Sequence, residues 1–231
     1  MSPMKIRADF SQKAFLLPGD EPWISSPQPG VDRQMLDRIG EEVARATSLV
    51  RFAPGSFFPH HVHGGGEEFF VLEGTLEDEN GRYPAGTYLR DPIGSQHTPF
   101  TKDGCTIFVK LWQFSASDKQ RQVTESADIP WQAGPSEGLT LKPLHEFDSV
   151  TTFLLHLAPG TRWKHQTHPD GEEILVLEGT FSDEEGVYPA RSWIREPGGR
   201  SHSALSEAGA TLLVKTGHLA AHHLTLASNA V

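Results

Sequence analysis

The chain has 231 residues, 37% hydrophobic and 22% charged, the composition of a globular protein with room for one large or two small cores. A net charge of −10 without clustered Lys or Arg excludes a nucleic-acid surface, which must neutralise phosphates. Cys105, alone of its kind, excludes intrachain disulfides and cysteine-rich zinc sites.

Met1–Phe10 lacks the apolar run of a signal peptide or a membrane span, so the expected address is the cytoplasm, with no membrane partner. With 22 Gly and 17 Pro, the chain suits short strands joined by turns. Helical periodicity surfaces only near Arg33–Glu42. Strands are expected at Thr47–Phe52, Glu68–Glu73, Thr87–Arg90 and Thr106–Phe114, separated by turns at Pro54-Gly55, Gly64-Gly65-Gly66, Asn80-Gly81, Pro92 and Gly94.

A shift of 105 overlays Gly55–Lys110 on Gly160–Lys215 without a gap, with about 25 of 56 positions identical. EEFFVLEGTLEDENGRYPAG in the first copy becomes EEILVLEGTFSDEEGVYPAR in the second. The chain is therefore expected to form two all-β units, 1–117 and 118–231, with Ser115–Ser126 as the linker. Phe69–Leu72 and Ile174–Leu177 are apolar at successive positions, so both faces of those strands should be covered, by the other copy or in a homodimer.

The polar residues inside the repeat carry the chemistry. After Gly55 and five intervening residues come His61, Val62, His63, three glycines and Glu67, and Gly74 follows. After Gly86 and five intervening residues come Pro92, Gly94 and then His97. Residues two apart on a strand share a side, so His61 and His63 should present both imidazoles inward. The glycines should give a sharp reversal through positive φ, returning Glu67 beside them. Three imidazoles and a carboxylate form a borderline donor set. One divalent transition metal per chain is expected, zinc first, with iron, manganese or nickel also compatible. Four ligands close a tetrahedral site, whereas an octahedral one keeps two open positions.

The second copy keeps His168, Glu172 and His202, but Gln166 stands where the first has His61, and Arg191 where it has Gly86. A carboxamide oxygen is the weaker donor for such metals, so this second site should be weak or empty. Elsewhere, His218, His222 and His223 read as a solvated tail, and Cys105 as a small core residue. Arg90/Arg195 and Lys110/Lys215 recur on strands and read as salt-bridged or pocket-lining residues, or as a solvated face.

This two-part spacing resembles the cupin signature, departing from it only at Thr101, where the pattern usually has Asn. The run EEFFVLEGTLEDENGRYPAGTYLRDPIGSQH is similar to the ChrR-type cupin of anti-sigma factors that respond to singlet oxygen or organic peroxide. The resemblance implies two tandem jelly-roll barrels of the double-stranded β-helix type, with His61, His63, Glu67 and His97 as metal ligands. It also implies that a metal-binding bicupin senses or binds a small molecule or oxidant. In that family the contact with the sigma factor belongs to a separate helical domain with a His/Cys zinc cluster, and this sequence carries no such cluster. Two other functions are compatible: a mononuclear dioxygenase acting on a small diketone or phenolic ketone, and a structural zinc module.

Overall fold

The computed structural model describes residues 4–220, and the side chains of residues 164–166 also lie outside the description. Among the described residues the chain is all β, with a single 3-10 turn at Ser126–Asp128. Among the described residues, no helix is long and apolar enough to cross a membrane.

Two compact units form. The described part of the first comprises residues 4–8 and Glu21–Asp128; the second comprises Asp9–Asp20 and residues 129–220. In the first, strands run in the order Lys5–Ile6, Val31–Gly40, Ala44–Phe52, Cys105–Leu111, Glu67–Asp78, Thr87–Asp91 and Gln122–Glu125, with a separate ribbon of His61–Val62 and Gln96–His97. The second repeats that order with Gln132–Ala133, Leu139–Phe147, Val150–Leu157, Ala210–Thr216, Glu172–Ser182, Trp193–Glu196 and, last, Ala14–Leu16. Each barrel is thus completed by a short strand from outside its own repeat: 122–125 caps the first, 14–16 the second.

The pairing repeats in detail. Thr106 faces Glu73 and Ile107 faces Val71, which leaves Leu72 as an unpaired bulge; Thr211 faces Glu178 and Leu212 faces Val176, which leaves Leu177. Gly74 and Gly179 follow at φ 70° and 73°, and a Cβ on either would come within 2.0 Å of the carbonyl oxygen of Gly104 or Gly209. Only glycine fits there. Phe69–Val71 and Ile174–Val176 are all buried within the single chain. Cys105 and its counterpart Ala210 are small core residues as expected, 4% and 3% exposed.

Two readings change, and of the two for the repeated cations the buried, partnered one holds. Arg33–Glu42, the one stretch with helical periodicity, lies mostly in the strand Val31–Gly40. A register shift between Met35 and Asp37 breaks the two-residue alternation, and that break imitates a helical period. His218 is no solvated residue: it is 5% exposed and its Nε2 lies 2.9 Å from a Glu173 carboxylate oxygen. His222 and His223 lie outside the described residues. The repeated cations are buried rather than solvated. Arg90 is held between Glu68 and Asp118, 2.5 Å from each, and stacks on Phe114 at 4.1 Å. Arg195 stacks on Phe10 at 4.2 Å, and Lys110 donates to Thr47 Oγ1 at 2.9 Å.

Candidate metal centre

The ribbon of the first unit pairs His97 directly with His61, and Gln96 with Val62. Two imidazoles are therefore cross-strand neighbours although they lie 36 positions apart. His63, two residues on from His61, is locked by its backbone: its N–H donates to the Ser95 carbonyl and its carbonyl accepts from Gly94, both at 2.9 Å. Glu67 opens the long strand Glu67–Asp78 beside them.

The connection between His63 and Glu67 departs from the expected reversal. Only Gly66 of the three glycines has positive φ, 77°. Gly65 is glycine for space, since a Cβ there would come 2.4 Å from the ring of Trp112, which itself takes a strained φ of 59°. The departure at Thr101 also has a structural reading. This residue is buried; its Oγ1 donates to the Thr75 carbonyl at 2.8 Å and accepts from Gly104 N–H at 3.1 Å, anchoring the turn after His97. Ser206 donates to the Thr180 carbonyl in the same way in the second unit, at 2.7 Å.

One donor atom from each of His61, His63, Glu67 and His97 lies within 4.8 Å of the others. Nε2 of His63 is 3.2 Å from Nε2 of His61 and 3.8 Å from Glu67 Oε1, and Nε2 of His97 is 3.5 Å from that same oxygen. Each Nδ1 faces away, toward an acceptor. His61 Nδ1 is 2.9 Å from the Pro59 carbonyl, and His97 Nδ1 is 3.2 Å from Asp78 Oδ2. His63 Nδ1 is 3.0 Å from Ser95 Oγ, whose own proton goes to the Pro92 carbonyl at 2.6 Å. Ser95 must therefore accept. With every Nδ1 carrying its proton outward, the Nε2 lone pairs converge on one point.

Protein atoms alone leave that point unsatisfied. His97 Nε2 is buried and makes no hydrogen bond, and two facing imidazole lone pairs repel. Burial, reinforced by His97 and His61, holds His63 down at about 3. Burial likewise pushes Glu67 up to about 7, against the attraction of His97. Burial opposes a charge on His97, but Asp78, Glu67 and Asp91 outweigh it and raise the imidazole, so a divalent cation would displace its Nε2 proton and return Glu67 to the ionised form. The four residues fit such an ion.

An outer layer supports them that sequence reasoning missed. Asp78 is buried, yet hydrogen bonds from His97, Tyr83 and Asn80 overcome that burial and hold it down at about 2. Its Oδ1 accepts from Asn80 N–H, Gly81 N–H and the Tyr83 hydroxyl at 2.7, 3.0 and 2.8 Å. Arg121 completes the layer, 2.8 Å from Asp91 and 2.9 Å from the Tyr83 hydroxyl. A signal existed, since Asp78 and Tyr83 recur as Asp183 and Tyr188, but within DENG and DEEG the acid reads as a turn residue. Asp78→Asn keeps the turn but removes the charge behind His97, and should cost about 10–100-fold in metal affinity. Competition with a chelator of known affinity measures it.

Above the four residues lies a cavity of about 340 Å³ lined by Val31, Arg33, Glu42, Val43, Val50, Phe52, Phe58, Val62, Leu76, Pro99, Ile107, Val109, Leu111 and Trp112, with the three histidines and Glu67 in its wall. That volume is at the lower end for small-ligand pockets.

The second unit brings together His168, Glu172 and His202. Gln166 pairs with His202 across the strands as His61 does with His97, but its side chain lies outside the description. The rings of His168 and His202 are 6.3 Å apart, against 4.7 Å for His63 and His97. His168 and His202 each approach Glu172 to 3.3 Å. Burial opposes a charge on His202, but Glu172 and Glu196 outweigh it and raise the imidazole to about 10. A protonated histidine is not a ligand. Behind it, Lys13 sits 2.6 Å from both Asp183 and Glu196, an ammonium where the first unit has Arg121.

Comparison with solved structures gives the fold. A candidate dioxygenase from Nostoc punctiforme superposes with a TM-score of 0.74 at 16% identity, covering 88% of this chain and 82% of that one. A bacterial pirin from Escherichia coli in complex with nickel(II) gives 0.67 at 13%, covering 89% and 98%. The Lactobacillus farciminis oxalate decarboxylase formate complex gives 0.63 at 12%, covering 88% and 85%. Comparison with curated protein sequences gives no significant match. The profile of the ChrR cupin-like domain matches twice, at residues 11–115 and 119–220, spanning most of the chain. With two cupin barrels in sequence and in structure, the chain belongs to the ChrR cupin-like family as a bicupin.

Proposed function

We propose that the first barrel holds one divalent transition metal on His61, His63, Glu67 and His97, and uses it for dioxygenase-type chemistry on a small, largely apolar molecule with oxygen donors, such as a diketone or phenolic ketone. The observation that carries this reading is the apolar cavity with all four residues in its wall. A structural zinc needs no such space above it. When bound, the metal supplies a Lewis-acidic, redox-capable centre. The chain does the rest. Asp78 keeps the proton of His97 on Nδ1, so that Nε2 stays available. Glu67 supplies negative charge at the cavity wall. Phe52, Phe58, Leu76 and Ile107 exclude water from the reacting atoms. Zinc stays the first choice for a sensing role and iron for the oxygenase. The Nostoc protein described as a candidate dioxygenase supports the chemistry by analogy of fold.

A second reading draws on the family itself: the same centre senses an oxidant or small molecule without turning it over. Oxygen uptake separates the two. Iron(II)-loaded protein is given benzoylacetone or 2-hydroxyacetophenone in an oxygen electrode. Uptake above that of free iron, lost in Glu67→Ala, is the expected result. Binding without uptake supports the sensor, and binding of neither compound contradicts the oxygenase.

A further inference from the structure

Arg33 stands out in an otherwise apolar wall. It lies on the strand Val31–Gly40, lines the cavity above the four metal-binding residues, and is the sole Lys or Arg among the described lining residues. Its side chain is 20% exposed, and its Nε is buried without a hydrogen-bond partner. Nη1 reaches toward one carboxylate, that of Glu42, at the long distance of 3.7 Å. Glu42 itself is 74% exposed and also lines the cavity. A surface pair of this length contributes little, so it does not account for an arginine in the wall of an apolar cavity with its Nε buried and unpartnered.

The second repeat supplies the contrast. Arg33 pairs with Val50, and the residue in that place in the second unit is Leu141, which pairs with Leu155. Leu141 packs against a core that also contains Leu139, Phe181 and Trp163, where the first unit has Val31, Leu76 and Phe58. A leucine therefore satisfies this strand position in the same fold. The arginine occurs in the barrel with the complete donor set.

Building on the cavity being the ligand site of the metal centre, we propose that Arg33 is its anion-recognising residue. The ligand is then a small apolar carboxylate, with its oxygen donors toward the metal and its carboxylate on Arg33. A planar guanidinium with a free Nε–H offers the two parallel donors that a carboxylate accepts, and a low-dielectric wall strengthens that bond. The exposed Glu42 carboxylate is the group that the incoming one displaces. Arg33 is a specificity residue and takes no part in holding the metal.

The test uses 4-acetoacetylbenzoate and its methyl ester, a diketone with and without a carboxylate at the far end, titrated calorimetrically into zinc-loaded protein. The wild type should bind the acid roughly tenfold or more tightly than the ester. Arg33→Leu, which installs the residue of the second repeat, should abolish that preference, leaving metal content and ester affinity within about twofold. Arg33→Lys should retain a reduced preference, and it serves should the leucine variant fail to fold. Equal binding of acid and ester by the wild type, or a preference that survives Arg33→Leu, overturns the role of Arg33 and leaves the function of the cavity standing. Binding of neither probe overturns both.

Discussion

His97→Ala should strip the first barrel of metal, with a loss of affinity exceeding the about 10–100-fold that outer-layer partners carry. Three features make this the most damaging single change. His97 Nε2 is one of the converging donors, and it is buried without any other partner. His97 is also the residue that ties the centre to its outer layer, through Asp78. Its strand partner is His61, so its loss removes one of the two imidazoles that the ribbon aligns. A metal held at about 1,000 times its dissociation constant stabilises the native state by about 4 kcal/mol, and the variant should lose that increment. Thermal unfolding with and without added metal measures it. His60→Ala is the control. His60 is exposed and makes one long contact, 3.4 Å to Thr98 Oγ1, so metal content and unfolding should be unchanged.

The grouping of His61, His63, Glu67 and His97 was legible in the sequence because strand alternation and glycine spacing are local properties, and because their spacing resembles the cupin signature. What stayed hidden depends on pairing across distance. That His97 faces His61 follows from a ribbon whose two strands are far apart in the chain. Asp78 looked like a turn acid, and it is one, but its second oxygen holds His97. Arg33 fell in a stretch with helical periodicity, because a bulge in one strand shifts the alternation by a residue. Lys13 was illegible altogether, since its partners Asp183 and Glu196 lie some 170 or more positions away. His218 shows the opposite error: its place after the last strand suggested solvent, whereas Glu173 draws it inside.

Gln166→His should raise metal content from close to one per chain toward two. The substitution restores an imidazole to the strand position opposite His202, the place that His61 occupies opposite His97. The gain should stop short of a full second equivalent. The ammonium of Lys13 competes for Asp183 and Glu196, so the carboxylate behind His202 is held more loosely than Asp78 behind His97, at 4.0 Å from Nδ1 against 3.2 Å. His202 must also give up the proton that Glu172 and Glu196 now stabilise. Adding Lys13→Met to Gln166→His removes the competing cation and should bring occupancy closer to two. Metal analysis of both variants after equilibration with a slight excess of zinc checks the order: wild type, then single, then double variant.

The metal of this bicupin is proposed to reside in its first barrel. Elemental analysis of two matched variants, purified without added metal, tests that placement most directly. His63→Ala removes a ligand from the first unit, and His168→Ala removes its counterpart from the second. His63→Ala should hold almost no metal and His168→Ala close to one equivalent. Equal losses in the two variants, or a His63→Ala protein that keeps its metal, would contradict it.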